Sequence, residues 1–187
     1  MARLPDPKPE DLSPEARVAY DNIMRSRGGL RGPFGMLMYN PPVADRVAAL
    51  GEQLRFHSSF SGAERELAIL AGGREVEAVY EWAAHEPIGL REGTRPEAID
   101  VLRHQRPTDG LPEREALIID TVRSIYRLHR LPDDLYRRAL AAFGAAGLVE
   151  VIVLAGYYGM IGYILNAFEV DLPEGEQPAF ARSWDAT

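Results

Sequence analysis

Glu81 and His85 stand four residues apart in Tyr80-Glu81-Trp82-Ala83-Ala84-His85. On a helix that spacing puts both side chains on one face, within reach of each other. A carboxylate beside an imidazole raises its pKa and orients its ring, which suits a general acid or base working near neutral pH. The same spacing also describes an ordinary surface Glu–His pair. It further allows both groups to face one metal ion, with Glu66 or Glu77 as a third ligand. The expected assignment uses neither a metal nor another cofactor.

Other groups could complete such a site. Tyr80 and Trp82 flank the pair and could line an aromatic pocket, although aromatics at helical spacing also serve as core. Tyr157, Tyr158 and Asn166 lie in a later apolar stretch and could offer hydroxyl and amide donors or simply pack in a bundle. His57 precedes the segment containing Glu66 and could face the same pocket, whereas His104 and His129 read as solvated residues at helix ends. The chain has no cysteine. This removes disulfides, thiolate metal sites and thiol nucleophiles, so any chemistry must run on His, Glu, Asp, Tyr or Arg.

The elements that hold these residues read as helices throughout. Ser13-Pro14 is an N-cap followed by an N1 proline, opening a helix to about Arg27. Gly28-Gly29-Leu30-Arg31-Gly32-Pro33 then breaks the chain and is a candidate rim of a pocket. Val43, Val47, Leu50 and Leu54 form one apolar stripe of a helix ending near His57. Ser61 and Glu64 have capping-box spacing ahead of Leu67, Leu70 and Ala71. Gly72-Gly73 predicts a kink or short break, and Pro87 with Gly89 predicts a fraying end to the helix that carries His85. Thr94 and Glu97 read as a second capping box. A helix over about 112–129 presents Leu117, Ile118, Val122, Ile125 and Leu128, and another runs from Pro132 to Gly144. No segment alternates with period two, so the expected class is all-α, with seven or eight helices.

From Val151 to Phe168 the chain carries no formal charge over 18 residues, the length at which a membrane span is suspected. Gly156, Gly159, Gly162 and Asn166 interrupt the run, and its downstream flank of Glu169, Asp171 and Glu174 is acidic, so a buried central helix is the better reading. Gly156, Gly159 and Gly162 would let another backbone approach closely. The tail beyond Leu172, with Phe180 and Trp184 as isolated anchors, could wrap a neighbouring subunit or lie loose.

A chain of 187 residues fits one domain, with an N-terminal extension over about 1–40 and a C-terminal tail over about 172–187. Its 28 acidic residues exceed its 21 basic ones, for a net charge of −7. An acidic surface repels phosphates, so nucleic acid is not an expected partner. The first residues lack the apolar core of a signal peptide, and a cytoplasmic location is expected.

The order Glu66-Leu67-Ala68-Ile69-Leu70, Tyr80-Glu81-Trp82-x-x-His85, a charged helix from Pro112-Glu113-Arg114-Glu115, and an apolar helix ending Asn166-Ala167-Phe168 resembles the carboxymuconolactone decarboxylase and alkylhydroperoxidase D-like family. The resemblance covers roughly residues 40–172 and is sharpest over 64–88. In the peroxidase branch, a pair of cysteines spaced three apart precedes a histidine, with a glutamate twelve residues ahead of the first. Aligning that histidine with His85 puts Ala78 and Glu81 at the cysteine positions and Glu66 at the upstream glutamate, while Tyr80 replaces a histidine between the thiols. Without thiols, peroxidase chemistry of that kind is impossible here.

The decarboxylase branch needs no cysteine. It implies loss of CO2 from a carboxylated lactone, with His85, Glu81 and Glu66 catalytic, and with Tyr80 or Arg74 as a nearby donor. Two ionised carboxylates would repel an anionic substrate, so a neutral lactone or quinone is also compatible. The alternative is a member that has lost catalysis and binds a small molecule or partner as an oligomer. The resemblance also implies a homo-oligomer, from dimer through trimer to hexamer.

Overall fold

Capping and burial set the helix boundaries in the computed structural model, which describes residues 2–30 and 32–185. A short 3-10 turn, Pro9–Asp11, leads into α1 (Pro14–Arg27), α2 (Pro33–Leu37), α3 (Pro41–Phe56) and α4 (Gly62–Glu75). There follow α5 (Val79–Glu92), α6 (Pro96–Arg103), α7 (Glu113–Leu128) and α8 (Asp133–Ala167). Among the described residues there is no strand, so the class is all-α. The Ser13 hydroxyl accepts from the Ala16 N–H, and Gly28, left-handed at φ 73°, ends α1. Ser61 and Glu64 form the full reciprocal capping box that starts α4.

The organising element is α4. Every residue from Glu66 to Gly73 is buried, because α5, α6, α7 and α8 all pack around this helix. Gly72 and Gly73 produce no kink. The helix runs straight through them, with Gly72 facing the backbone of Ala155 on α8. Packing on all sides outweighs the roughly 1 kcal/mol intrinsic cost of each glycine. The chain instead turns at Val76 to Ala78, where Glu77 is left-handed at φ 54°.

Four further expectations shift. Helix α5 continues through Pro87 and Gly89 to Glu92 and ends on left-handed Gly93, because buried Gly89 sits tightly between Thr94 and Glu66. Thr94 does not cap α6. Its hydroxyl donates to the Ala63 carbonyl at 3.0 Å, tying the end of α5 to the start of α4. On α3 the buried face is Ala44, Val47, Ala48, Gly51 and Leu54, while Val43 and Leu50 are exposed. Small residues turn inward there because α3 packs closely on α1. On α7, Leu128 is also exposed.

Helix α8 contains the expected break at Gly144 (φ 68°, ψ 173°), and its apolar half begins directly after it. By length and composition α8 could cross a membrane, but Val151, Leu154, Ala155, Tyr158, Ile161 and Leu165 are buried within the bundle. Gly159 faces the Tyr126 hydroxyl and Gly162 faces Val76 and Ala78, whereas Gly156 has open space beside it.

The ends of the chain meet each other. Arg3 donates its N–H to the Phe168 carbonyl at 2.8 Å and pairs with Glu169 at 2.6 Å. In the tail, Phe180 packs edge-on against Trp82 and lies under the Arg74 guanidinium. The tail therefore folds onto its own chain.

A Cβ at position 162 would stand 2.5 Å from Val76 Cγ2 and 2.9 Å from Ala78 Cβ. Gly162→Ala is expected to destabilise the protein by about 1–3 kcal/mol through overpacking, seen as a fall of several degrees in Tm. An unchanged Tm would show that the α8 contact with the 76–78 turn is looser than described.

Candidate active site

The fully buried interior of α4 carries one acid, Glu66, at 1% exposure. Helix α5 lies across it and brings His85, so that His85 Nδ1 and Glu66 Oε2 are 2.7 Å apart. One turn earlier on α5, Glu81 reaches the other ring nitrogen, with Nε2 to Oε2 at 3.3 Å. The imidazole is thus clamped between two carboxylates, all three groups being buried. Glu66 also receives Arg65 Nε at 3.4 Å. Glu81 and His85 are therefore interior and not a surface pair.

Burial alone would drive the His85 pKa down, because a charged ring loses its hydration. The hydrogen bonds to Glu66 and Glu81 and their negative charges more than offset that loss, raising the pKa from the ordinary 6.5 to about 9. At neutral pH His85 is an imidazolium and therefore a proton donor. Its Glu66 side is held inside the bundle, whereas His85 and Glu81 both face a cavity of about 770 Å3.

Helix α8 supplies the opposite wall. Tyr158 meets the His85 ring edge-on at 5.2 Å between centroids, and Tyr157 packs edge-on against Tyr158. The Tyr158 phenol is pushed well above its usual pKa, first by burial and then by the nearby Glu81 charge, so it stays protonated. Tyr157 also lines the cavity, but its hydroxyl donates to the Val47 carbonyl at 3.1 Å and fixes α8 against α3. Tyr80 forms a further wall, and Gly28 and Gly29 of the expected rim loop line the mouth. Arg31 of that loop lies outside the described residues.

Arg55, at the end of α3, also lines this cavity and was not singled out by the sequence reading. It lies four residues after buried Gly51, so the inward face of α3 leads directly to it. Counting Ala44, Ala48 and Gly51 as that face, rather than the larger Val43 and Leu50, would have pointed to Arg55.

Other candidates sit elsewhere. Trp82 is completely buried, its indole N–H donating to Glu86 at 2.7 Å and its ring packed on Phe180, outside the cavity lining. Asn166 donates its side-chain amide to the Val76 carbonyl at 2.7 Å, joining α8 to the turn after α4. His57 is an exposed cap of α3, outside the lining. Arg74 donates to the Arg103 carbonyl, and the Glu77 carboxylate accepts from Ser183, so neither belongs to the His85 cluster. Among the described residues, no group of three or more His, Asp or Glu side chains is arranged to hold a metal ion.

This geometry sits within a segment with known relatives. Residues 41–119, which span Glu66, Glu81 and His85, match the model of the Carboxymuconolactone decarboxylase family. The matched segment, like the rest of the chain, holds no cysteine. The fold is also similar to that of solved structures, among them two peroxidase-related proteins. One is described as an alkylhydroperoxidase AhpD core, an uncharacterized peroxidase-related protein from Ralstonia eutropha JMP134. It has a TM-score of 0.76 at 16% identity, covering 92% of this chain and 93% of that one. The other is an uncharacterized peroxidase-related protein from Silicibacter sp. TM1040, with a TM-score of 0.74 at 15% identity and 92% of each chain covered. At such identities the likeness shows the fold alone. No curated protein matches the chain.

Because the folded-state pKa of His85 lies above its unfolded value, its contribution to stability is complete below about pH 6.5 and is lost as pH rises through about 9. The shift corresponds to roughly 3 kcal/mol at most. Urea unfolding of wild type between pH 6.5 and 9.5 should therefore show a downward slope that is absent in His85→Gln and reduced in Glu66→Gln. Equal slopes in wild type and His85→Gln would contradict the clamped imidazolium.

Proposed function

We propose that this protein is an acid–base lyase or isomerase of the carboxymuconolactone decarboxylase type, acting in the cytoplasm on a lactone or related intermediate of aromatic-compound breakdown. The observation that carries this reading is a buried histidine set between the Glu66 and Glu81 carboxylates and facing a cavity. In a decarboxylation, the bond between carbon and the departing carboxylate breaks as CO2 leaves, and the electron pair moves into the conjugated lactone. The charge settles on an enolate-like oxygen, and Arg55 is the cavity residue suited to stabilise it. His85 then delivers its Nε2 proton to carbon and is reprotonated from solvent. In an isomerisation, Glu81 accepts a proton from one carbon and His85 returns one to another.

Charge balance supports an anionic substrate. His85, Arg55 and Arg65 set positive charge beside the Glu66 and Glu81 carboxyl groups, so a substrate carboxylate meets no net repulsion. Tyr158, kept as a phenol, can donate a hydrogen bond without adding charge. With purified protein and carboxymuconolactone, CO2 release is expected for wild type. His85→Ala should lower kcat by about 10^2 to 10^4-fold, with Arg55→Ala lowering it less severely. No turnover of this or related lactones would overturn the enzymatic reading and favour a non-catalytic small-molecule-binding role.

The outward face of α8 supports self-association. Val149, Val153, Gly156, Met160, Tyr163 and Ala167 alternate four and three residues apart, and Val149 and Tyr163 are about 60% exposed. That is the spacing of a helix–helix seam, and the open space beside Gly156 would let a second copy of α8 approach closely. Light scattering should find a homo-oligomer, a dimer or a larger assembly. Tyr163→Glu and Val153→Glu should reduce it to monomers with the helical content intact, whereas a monomeric wild type would contradict the seam.

A further inference from the structure

A second cavity of about 700 Å3 adjoins the His85 chamber, and the two share Tyr80 and Pro173 as walls. It lies where the two ends of the chain meet. Arg3 and Asp171 stand at its edge, but both are engaged: Arg3 pairs with Glu169, and Asp171 accepts from the Ala2 N–H. Asp6 also lines the space, and the rest of the surface these contacts leave is mostly apolar, formed by Leu4, Pro5, Leu30, Met36, Val170 and Leu172. The partition itself is well supported. The Tyr80 ring lies directly against Gly32, where a Cβ would come within 2.6–2.9 Å of the ring atoms and where the backbone is left-handed at φ 59°. Glycine at this position is what allows the ring to lie between the chambers.

We propose that the two cavities form one bipartite site, with the polar head of a ligand at His85 and Arg55 and an unbranched apolar tail passing Tyr80 into the chamber roofed by the N-terminal arm. The proposal rests on reading the His85 chamber as the head-group site and adds a substrate class to it: amphiphilic acids or lactones carrying a hydrocarbon tail. The shared wall of Tyr80 and Pro173 and the apolar surface beyond it favour a hydrocarbon tail, and the Asp6 carboxylate in the same lining disfavours an anionic one. Tyr80 then acts as a specificity residue that sets how easily the tail passes.

Calorimetric titration of the full chain with straight-chain alkanoates from butanoate to decanoate, each below its micelle concentration, tests this directly. Affinity is expected to rise by about fourfold per added methylene once the tail enters the second chamber. Leu172→Trp and Leu30→Trp fill that chamber only. Each should leave butanoate binding unchanged and weaken decanoate at least tenfold, with melting curves confirming that the variants fold. Tyr80→Ala should strengthen decanoate relative to butanoate. Butanoate binding without dependence on chain length, or decanoate binding unaffected by both tryptophan variants, overturns the tail chamber while leaving the head-group site standing. Failure of every alkanoate to bind overturns both together.

Discussion

A carboxylate inside a helix that is buried on every side must find a counter-charge, and Glu66 finds His85. An unpaired ionised carboxylate in such a setting would cost several kcal/mol. The 2.7 Å contact across α4 and α5 is therefore the constraint on which the local architecture depends. It explains why α5 must lie close over α4 at Gly89, where a side chain would press on Thr94 and Glu66. It also explains why the end of α5 is pinned back through Thr94 to Ala63. Glu81 completes the arrangement from the far side of the ring, on the same face of α5.

This pairing has a chemical consequence set by geometry. Glu66 stands inside the bundle, while Glu81 and His85 look into a cavity walled by Tyr157 and Tyr158 of α8, Arg55 of α3 and Tyr80 of α5. One partner anchors the imidazolium, and the other side can be approached. Burial, which usually discharges a histidine, here makes the carboxylate interactions strong enough to hold the proton. A positioned acid that stays protonated at neutral pH follows from the same contacts that stabilise the fold.

The sequence made part of this legible. Four-residue spacing brought Glu81 and His85 together, and the family resemblance supplied Glu66, which is nineteen positions from His85 and has no local signal. The all-α class followed from capping and periodicity, and the carboxymuconolactone decarboxylase family match reaches the same segment. What local pattern could not show was how tertiary packing overrides propensity: Gly72, Gly73, Pro87 and Gly89 remain helical because their helices are pressed between neighbours. Arg55 escaped because small residues, not the large apolar ones, form the buried face of α3. Trp82 and Asn166 bear suitable groups, but hydrogen bonds to Glu86 and to the Val76 carbonyl commit them to the scaffold.

The protonation state of His85 is the point on which both the structural and the chemical accounts rest. Titrating its imidazole by NMR in the folded wild-type protein, with the resonance assigned by its loss in His85→Gln, measures that state directly. The expected result is an apparent pKa of about 9, falling when either Glu66 or Glu81 is changed to glutamine. A wild-type pKa at or below the ordinary 6.5 would mean that burial prevails over the two carboxylates, and would contradict the account of His85 as a clamped proton donor.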